Sequence, residues 1–69
     1  MKAVSGRDFA RLLEGRGWVL LRAHGSHHIY GKKGSDVRLA IPLHENRPLK
    51  TGLLHHLMKL AELTEGDFV

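Results

Sequence analysis

The order of apolar patterns along the chain predicts an α+β fold built from a helix, three strands and a second helix. Three observations predict it. A helical spacing of apolar residues opens the chain, a second helical spacing closes it, and three short β-prone runs joined by tight turns lie between them. Tight turns connect antiparallel neighbours, so we expect a three-stranded antiparallel sheet with two helices on one face.

The first helix is predicted to begin directly after Ser5. The Ser5 hydroxyl is placed to accept a hydrogen bond from the backbone N–H of Asp8, as an N-cap residue does. Apolar residues then follow at i, i+3 and i+4 spacing, which marks one buried helix face: Phe9, Leu12 and Leu13. The Gly15-Arg16-Gly17 segment ends the helix and supplies a glycine for a left-handed cap.

Three extended runs are predicted over residues 18–22, 27–30 and 37–42, with glycine-containing turns between them. In the third run the apolar residues share one face: Val37, Leu39 and Ile41. Pro42 lacks an N–H and therefore ends that strand or places it at an edge. We expect Trp18 and Tyr30 to be core residues, with base stacking as the alternative role.

The C-terminal part is predicted to be an exposed loop over residues 43–49 and a helix that begins near residues 50–52. The predicted buried face of this helix is apolar: Leu53, Leu54, Leu57, Leu60 and Ala61. We expect residues 64–67 to form a last short turn that lets Phe68 pack back onto the rest of the chain.

The composition indicates one small globular domain over residues 1–69. Hydrophobic residues make up 42% and charged residues 26% of the chain, which argues against disorder. The sequence contains no cysteine, so disulfides and thiolate metal sites are excluded. Packing, alone or with a partner, must therefore hold so short a chain together.

The charge is unevenly distributed and indicates an anionic partner. Residues 1–35 hold seven Lys or Arg against two Asp or Glu, a net +5, whereas residues 36–69 hold four against five, a net −1. A basic half of this kind favours nucleic acid as the partner, and a solvated basic surface is the alternative.

No membrane segment or export signal is predicted. No stretch approaches the roughly 20 apolar residues that a transmembrane helix needs. Residues 1–5 lack the apolar core of a signal peptide, so we expect a cytoplasmic protein with no membrane contact.

The chemistry is expected in the Gly25-Ser26-His27-His28 segment, where a flexible turn leads into a strand. Adjacent strand side chains point to opposite faces, so only one of the two histidines looks outward. Imidazole suits general acid–base catalysis at neutral pH, and RNA cleavage needs one proton removed, one donated and positive charge near the phosphorus. Basic residues elsewhere supply that charge: Arg22, Lys32, Lys33 and Lys50. The alternative is that both histidines are ordinary half-exposed strand residues.

Two further interpretations of this segment are weaker. Zinc usually takes three or four ligands, and the candidates are His24, His27, His28 and, through space, His44. Because no cysteine or carboxylate belongs to this cluster, we expect neither a metal nor another cofactor. Ser26 is expected to be a turn residue or a hydroxyl that binds a phosphate, because a strand directs its side chain away from that of the next residue.

The pattern as a whole resembles the HicA (YcfA-like) mRNA interferase toxins of type II toxin–antitoxin systems. The resemblance covers nearly the whole chain, from Ser5 to Phe68. The segments that carry it are Ser5-Gly6-Arg7-Asp8, Gly17-Trp18, Gly25-Ser26-His27-His28-Ile29-Tyr30, Ile41-Pro42-Leu43-His44 and Leu49-Lys50-Thr51-Gly52-Leu53-Leu54. Each segment alone is a weak signal, but their order and spacing together are specific.

The resemblance implies an α-β-β-β-α fold like that of the double-stranded-RNA-binding domain. It also implies a ribosome-independent endoribonuclease that cleaves mRNA and arrests growth. The family's catalytic histidine is carried onto His27, with His28 as the other candidate. The implied partners are mRNA and a HicB-type antitoxin that masks the site, with no DNA contact by this chain alone.

Several assignments stay open at this point. The candidate RNA contacts are Ser26, Lys32, Lys33 and Lys50. Water, His28 or a group from a dimer are the candidates for the second proton transfer. A non-catalytic RNA-binding module of the same fold is the rival function, and a degenerate toxin that only pairs with its antitoxin is a third.

Overall fold

A computed structural model describes residues 3–44 and 47–68 of the chain. Glu45 and Asn46 of the predicted loop lie outside the described residues, as do Met1, Lys2 and Val69. The elements are helix α1 (Gly6–Gly15), strands β1 (Trp18–His24), β2 (His27–Lys32) and β3 (Arg38–Pro42), helix α2 (Thr51–Ala61) and a 3₁₀ turn (Glu65–Phe68). The three strands form one antiparallel sheet in the order β1-β2-β3, which confirms the predicted α+β fold.

The hydrophobic core lies between the two helices and one face of the sheet. Phe9 and Leu13 of α1 have no exposed surface, and neither do Leu39 and Ile41 of β3. Tyr30 of β2 is 2% exposed, so its predicted core role is confirmed. Trp18 is likewise buried, at 6% exposure.

The start and the end of α1 follow the sequence prediction. The backbone N–H of Asp8 donates to the Ser5 hydroxyl at 3.1 Å, which satisfies one of the free donors at the helix start. Gly17, just beyond the helix, has a φ of +94°, a conformation that glycine adopts without steric cost.

The strands differ from the predicted ranges. Both β1 and β2 run two residues further than predicted. The antiparallel pairs Ala23–His28 and His24–His27 extend β1, and the pair Val19–Gly31 continues β2 at the other end. The strand β3 starts one residue later than predicted. The backbone N–H of Val37 instead donates to the Ser35 hydroxyl at 3.1 Å, which holds Val37 in the irregular segment before the strand.

A β-bulge at Leu21 interrupts the alternation of β1. Leu20 pairs with Tyr30 and Arg22 pairs with Ile29, so one extra residue lies between two consecutive pairs. Without the bulge, Leu20 and Arg22 would share a face. With it, Leu20 lies on the helix-covered face and Arg22 on the opposite one.

The predicted buried face of α2 needs two corrections. Leu54, Leu57 and Ala61 are buried as expected and Leu53 is only half-buried, but Leu60 is 38% exposed. Met58 takes the fourth buried place, because i, i+3, i+4 and i+7 from Leu54 form one stripe that excludes position 60.

The prediction that residues 43–49 form an exposed loop is wrong at its end. Leu49 is 8% exposed, and its backbone N–H donates to the carbonyl of Val4 at 2.8 Å. Ser5 and Pro48 form an isolated antiparallel bridge beside this hydrogen bond. The chain before α2 is therefore tied to the segment before α1.

The expected last turn is confirmed. The Asp67 carboxylate accepts from the Thr64 backbone N–H at 2.7 Å and from the Arg16 guanidinium at 2.6 Å. The hydrogen bond from the Thr64 backbone has the largest effect and that from Arg16 the next, and both lower the pKa of Asp67. The Phe68 ring packs against that of Phe9 with 5.6 Å between centroids.

The described helices include none that is both long and apolar enough to cross a membrane.

Gly6 marks the closest approach between α1 and the sheet. A Cβ added at Gly6 would overlap the backbone carbonyl of Pro42, which a side-chain rotation cannot relieve.

We predict that Gly6→Ala lowers the free energy of unfolding by about 1–3 kcal/mol through overpacking. Urea denaturation measures it, with Gly15→Ala as the matched control, because nothing lies within 4 Å of a Cβ added at Gly15. The control should match or exceed wild-type stability. Equal stabilities of the two variants would contradict the close approach.

The buried hydroxyl of Tyr30 links β2 to α1 by donating to Glu14 Oε2 at 2.9 Å. Burial, and then the hydrogen bond and charge of Glu14, raise the pKa of Tyr30 from 10.0 to about 12. The unfolded chain releases this proton first, so the free energy of unfolding falls as the pH rises from about 10 to about 12.

We predict that Tyr30→Phe lowers the free energy of unfolding at pH 7 by about 0.5–1.5 kcal/mol, the usual worth of one hydrogen bond. The stability advantage of the wild type over the variant should fall between pH 10 and pH 12. Denaturant unfolding across this range measures both, and Tyr30 is the only tyrosine in the sequence. An advantage of the wild type that rises with pH would contradict the assigned contact.

Candidate functional site

The face of the sheet turned away from the helices, here called the open face, carries the predicted chemistry. Residues paired across antiparallel strands share a face, so the register assigns each position. The open face consists of three rows, each running from β1 through β2 to β3: Val19-Gly31-Arg38, Arg22-Ile29-Ala40 and His24-His27-Pro42.

His27 lies on the open face and His28 lies on the other one. His27 is exposed and pairs with Pro42. His28 is half-buried and pairs with Ile41, which is fully buried under the helices. The prediction that only one of the two histidines looks outward is confirmed.

A second imidazole approaches His27 from the segment after β3. The ring centroids of His27 and His44 are 6.1 Å apart, and the ring planes are perpendicular. The backbone N–H of Leu43 donates to the carbonyl of Ser26, which fastens the residue before His44 to the residue before His27. Sequence reasoning considered His44 only as a possible metal neighbour, because 16 residues separate the two histidines in the chain.

The candidate metal ligands named from the sequence are not all brought together. Within residues 3–44 and 47–68, no group of three or more His, Cys, Asp or Glu side chains converges to hold a metal ion. His28, one of the candidate ligands, is directed to the opposite face of the sheet from His27.

A groove with a volume of about 320 Å³ adjoins the histidine pair and is called the His44 groove below. Apolar and cationic residues line it: Pro42, His44, Arg47, Pro48, Leu49, Lys50 and Leu53. Pro42 also belongs to the His27 row of the open face, so the groove and the face are continuous. Lys50, a predicted RNA contact, is exposed at this groove.

The other predicted RNA contacts lie in different places. Ser26 is half-buried in the turn before His27. Lys32 is at the far end of β2, about 17 Å along the strand from His27 at about 3.3 Å per residue. Its ammonium lies 5.7 Å from the centroid of the Trp18 ring, on the helix side of the sheet. Lys33 is exposed in the turn that follows. The structure therefore separates Lys32 and Lys33 from the histidine pair.

Two arginines stand on the open face instead. Arg22 is placed there by the bulge at Leu21, and Arg38 occupies the row beyond it. The Arg38 guanidinium donates to the backbone carbonyl of Val37 at 3.1 Å. Sequence reasoning missed Arg38. The available signal was alternation along the strand. Val37 and Leu39 are assigned to the buried face, so Arg38 between them is expected on the opposite face.

The comparison with protein families matches this architecture. The family model described as the HicA toxin of bacterial toxin–antitoxin systems matches residues 6–63. The chain belongs to the HicA toxin family. This confirms the resemblance found in the sequence, and the matched residues include the whole sheet and both histidines of the pair. A search of curated proteins found no match.

Membership of the HicA family gives this chain the toxin role in a toxin–antitoxin system and implies an antitoxin as its partner. The matched residues also contain the His44 groove. The 3₁₀ turn at the C-terminal end lies outside the match.

Proposed function

We propose that this HicA protein is an endoribonuclease that cleaves mRNA by histidine acid–base catalysis, without a metal ion. The observation that carries the proposal is the exposed imidazole of His27 on an open face that also holds cationic side chains. The donor set supports chemistry without a metal, because the sequence has no cysteine and the described residues converge on no three-ligand cluster.

RNA carries its own nucleophile, the 2′-hydroxyl, so the protein has to move protons and balance charge. An imidazole within hydrogen-bond reach of the 2′-hydroxyl or of the leaving 5′-oxygen supplies one of the proton transfers. Exposed on the open face, His27 is accessible to a bound strand of RNA. His28 is the weaker candidate, because it is half-buried on the helix side.

Cations around the histidine row suit a phosphate backbone. Arg22 lies in the next row of the open face, and Lys50 and Arg47 line the His44 groove. Such contacts bind RNA irrespective of its sequence and weaken as salt is added. In the proposal Ser26 binds a phosphate near His27, while Lys32 and Lys33 contact only RNA that extends to the far end of β2.

In the cell, cleavage of mRNA would stop translation and growth until an antitoxin covers the site. We propose a HicB-type protein in that role and the cytoplasm as the place. Apolar side chains at the β1 edge of the open face support a protein partner there. Val19 is 57% exposed, and Leu21, whose side chain lies against Gly31 of that face, is 53% exposed. We propose no DNA contact by this chain alone.

We predict that His27→Ala lowers the cleavage rate of a long single-stranded transcript in EDTA by at least about 100-fold, the usual contribution of a general acid or base. The free energy of unfolding should change by less than about 0.5 kcal/mol, because the side chain is exposed. Gel electrophoresis of the RNA and a thermal melt measure the two effects. His56→Ala, an exposed histidine on α2, is the matched control and should cleave at the wild-type rate.

Wild-type cleavage by His27→Ala would contradict the assignment, and loss of cleavage in His28→Ala alone would transfer it to His28. If the wild-type protein shifts RNA in a gel but leaves it intact, the non-catalytic RNA-binding module is the correct function.

A further inference from the structure

We propose that His44 is the second proton-transfer group of the site that His27 serves. This inference rests on the proposed endoribonuclease function and names the partner which that function lacks. The observation behind it is the pair of imidazole rings, 6.1 Å apart between centroids, on the exposed side of the sheet.

Cleavage of an RNA phosphodiester requires two proton transfers at opposite oxygens of one phosphate. A base takes the proton from the 2′-hydroxyl, and the 2′-oxygen forms a bond to phosphorus. The bond between phosphorus and the 5′-oxygen breaks, and an acid gives that oxygen a proton. The products are a 2′,3′-cyclic phosphate and a free 5′-hydroxyl, so one imidazole gains the proton of the 2′-hydroxyl and the other loses a proton to the 5′-oxygen. No oxidant, reductant or further reactant is needed.

The separation of His27 and His44 suits this task. The ring centroids are 6.1 Å apart, so the two imidazoles are close neighbours, and a phosphodiester bound beside them lies within hydrogen-bond reach of both. The perpendicular ring planes turn the edge of one imidazole toward the face of the other, so the two rings do not stack over each other's faces. One phosphodiester can therefore contact both rings.

The other histidines near His27 fit less well. His28 is on the opposite face of the sheet, across from the buried Ile41. His24 is the cross-strand partner of His27, and it lies away from the His44 groove. Among the histidines that the structure describes, His44 is the one that both lies against the His27 ring and lines the groove.

The His44 groove supplies the reason for the phosphate to lie beside the two rings. Its volume of about 320 Å³ is at the small end of ligand sites, as a single nucleoside requires. Prolines and leucines give it apolar walls against which a base can pack, while Arg47 and Lys50 are available for phosphates. A nucleoside bound in this groove lies next to His44, so its own phosphate can reach the histidine pair.

Among residues 3–44 and 47–68, the charged and titratable groups nearest the pair are basic. They lie on β1 beside His27 and in the lining of the His44 groove: Arg22, His24, Arg47 and Lys50. These groups attract the substrate phosphate and stabilise the extra negative charge that develops on it during the reaction.

The experiment uses full-length wild type, His27→Ala, His44→Ala, His44→Gln and His24→Ala, with His56→Ala as the unchanged control. Each protein is given a short RNA with one mapped cleavage position, and the same RNA with sulfur in place of the bridging 5′-oxygen. Sulfur leaves without being protonated, so the second RNA needs a base but no acid. We measure kcat and KM for both RNAs across the pH range, and a thermal melt for each protein.

We expect wild type to show a bell-shaped dependence of kcat/KM on pH, the sign of one acid and one base. His44→Ala and His44→Gln should lose at least about 100-fold in kcat on ordinary RNA with little change in KM, and should lose one limb of the bell. The sulfur-containing RNA should restore the rate of one histidine variant, either His27→Ala or His44→Ala, and not of the other.

Three results would overturn the role of His44 while leaving the proposed function standing. One is wild-type kcat in a folded His44→Ala when His27→Ala is inactive. Another is a rise in KM alone, which would make His44 a binding residue. The third is loss of the pH limb in His24→Ala in place of His44→Ala. An inactive wild-type protein would overturn the proposed function itself, and the role of His44 with it.

Discussion

The burial of one face of a three-stranded sheet under two helices decides where every other side chain of the sheet points. Tyr30, Leu39 and Ile41 fill the core, and their cross-strand pairing sets the register. Since strand side chains alternate, the neighbours of these residues must face away from the helices. His27 is on the open face because His28 and Tyr30 are on the covered one. A shift of the register by a single residue would bury His27 and expose the core.

The candidate site depends on a second constraint, the attachment of the segment after β3. The hydrogen bond between Leu43 and Ser26 holds this segment on the sheet, and the missing side chain of Gly6 lets α1 approach the Pro42 carbonyl closely. Further along the chain, Leu49 is buried and its backbone N–H donates a hydrogen bond to the Val4 carbonyl. These contacts position the start of α2 and therefore Lys50. The histidine pair and the groove beside it are therefore products of backbone contacts between distant parts of the chain.

Local chemistry made much of the fold predictable from the sequence. The Ser5 cap, the glycine after α1, the alternation of β3 and the packing of Phe68 depend on residues close in the chain, and all four are confirmed. The outward orientation of one histidine also followed, since it needs only the alternation rule.

Features that depend on distant contacts were not predictable in the same way. The bulge at Leu21, which moves Arg22 to the open face, arises from the pairing of β1 with β2. The apolar run of Val19, Leu20 and Leu21 contains no signal that predicts it. The approach of His44 to His27 depends on the hydrogen bond between Leu43 and Ser26, and periodicity carries no signal for it. Lys32 and Lys33 are close to His27 in sequence, yet the extended strand carries them away from it.

The most direct measurement of the central claim is the NMR spectrum of the imidazole C–H groups as the protein is titrated with an RNA that has 2′-O-methyl groups and cannot be cleaved. The account predicts that the resonances of His27 and His44 shift together and at the same RNA concentration, while those of His55 and His56 on α2 stay in place. Shifts confined to His55 and His56, or an unchanged His27 at saturating RNA, would contradict it.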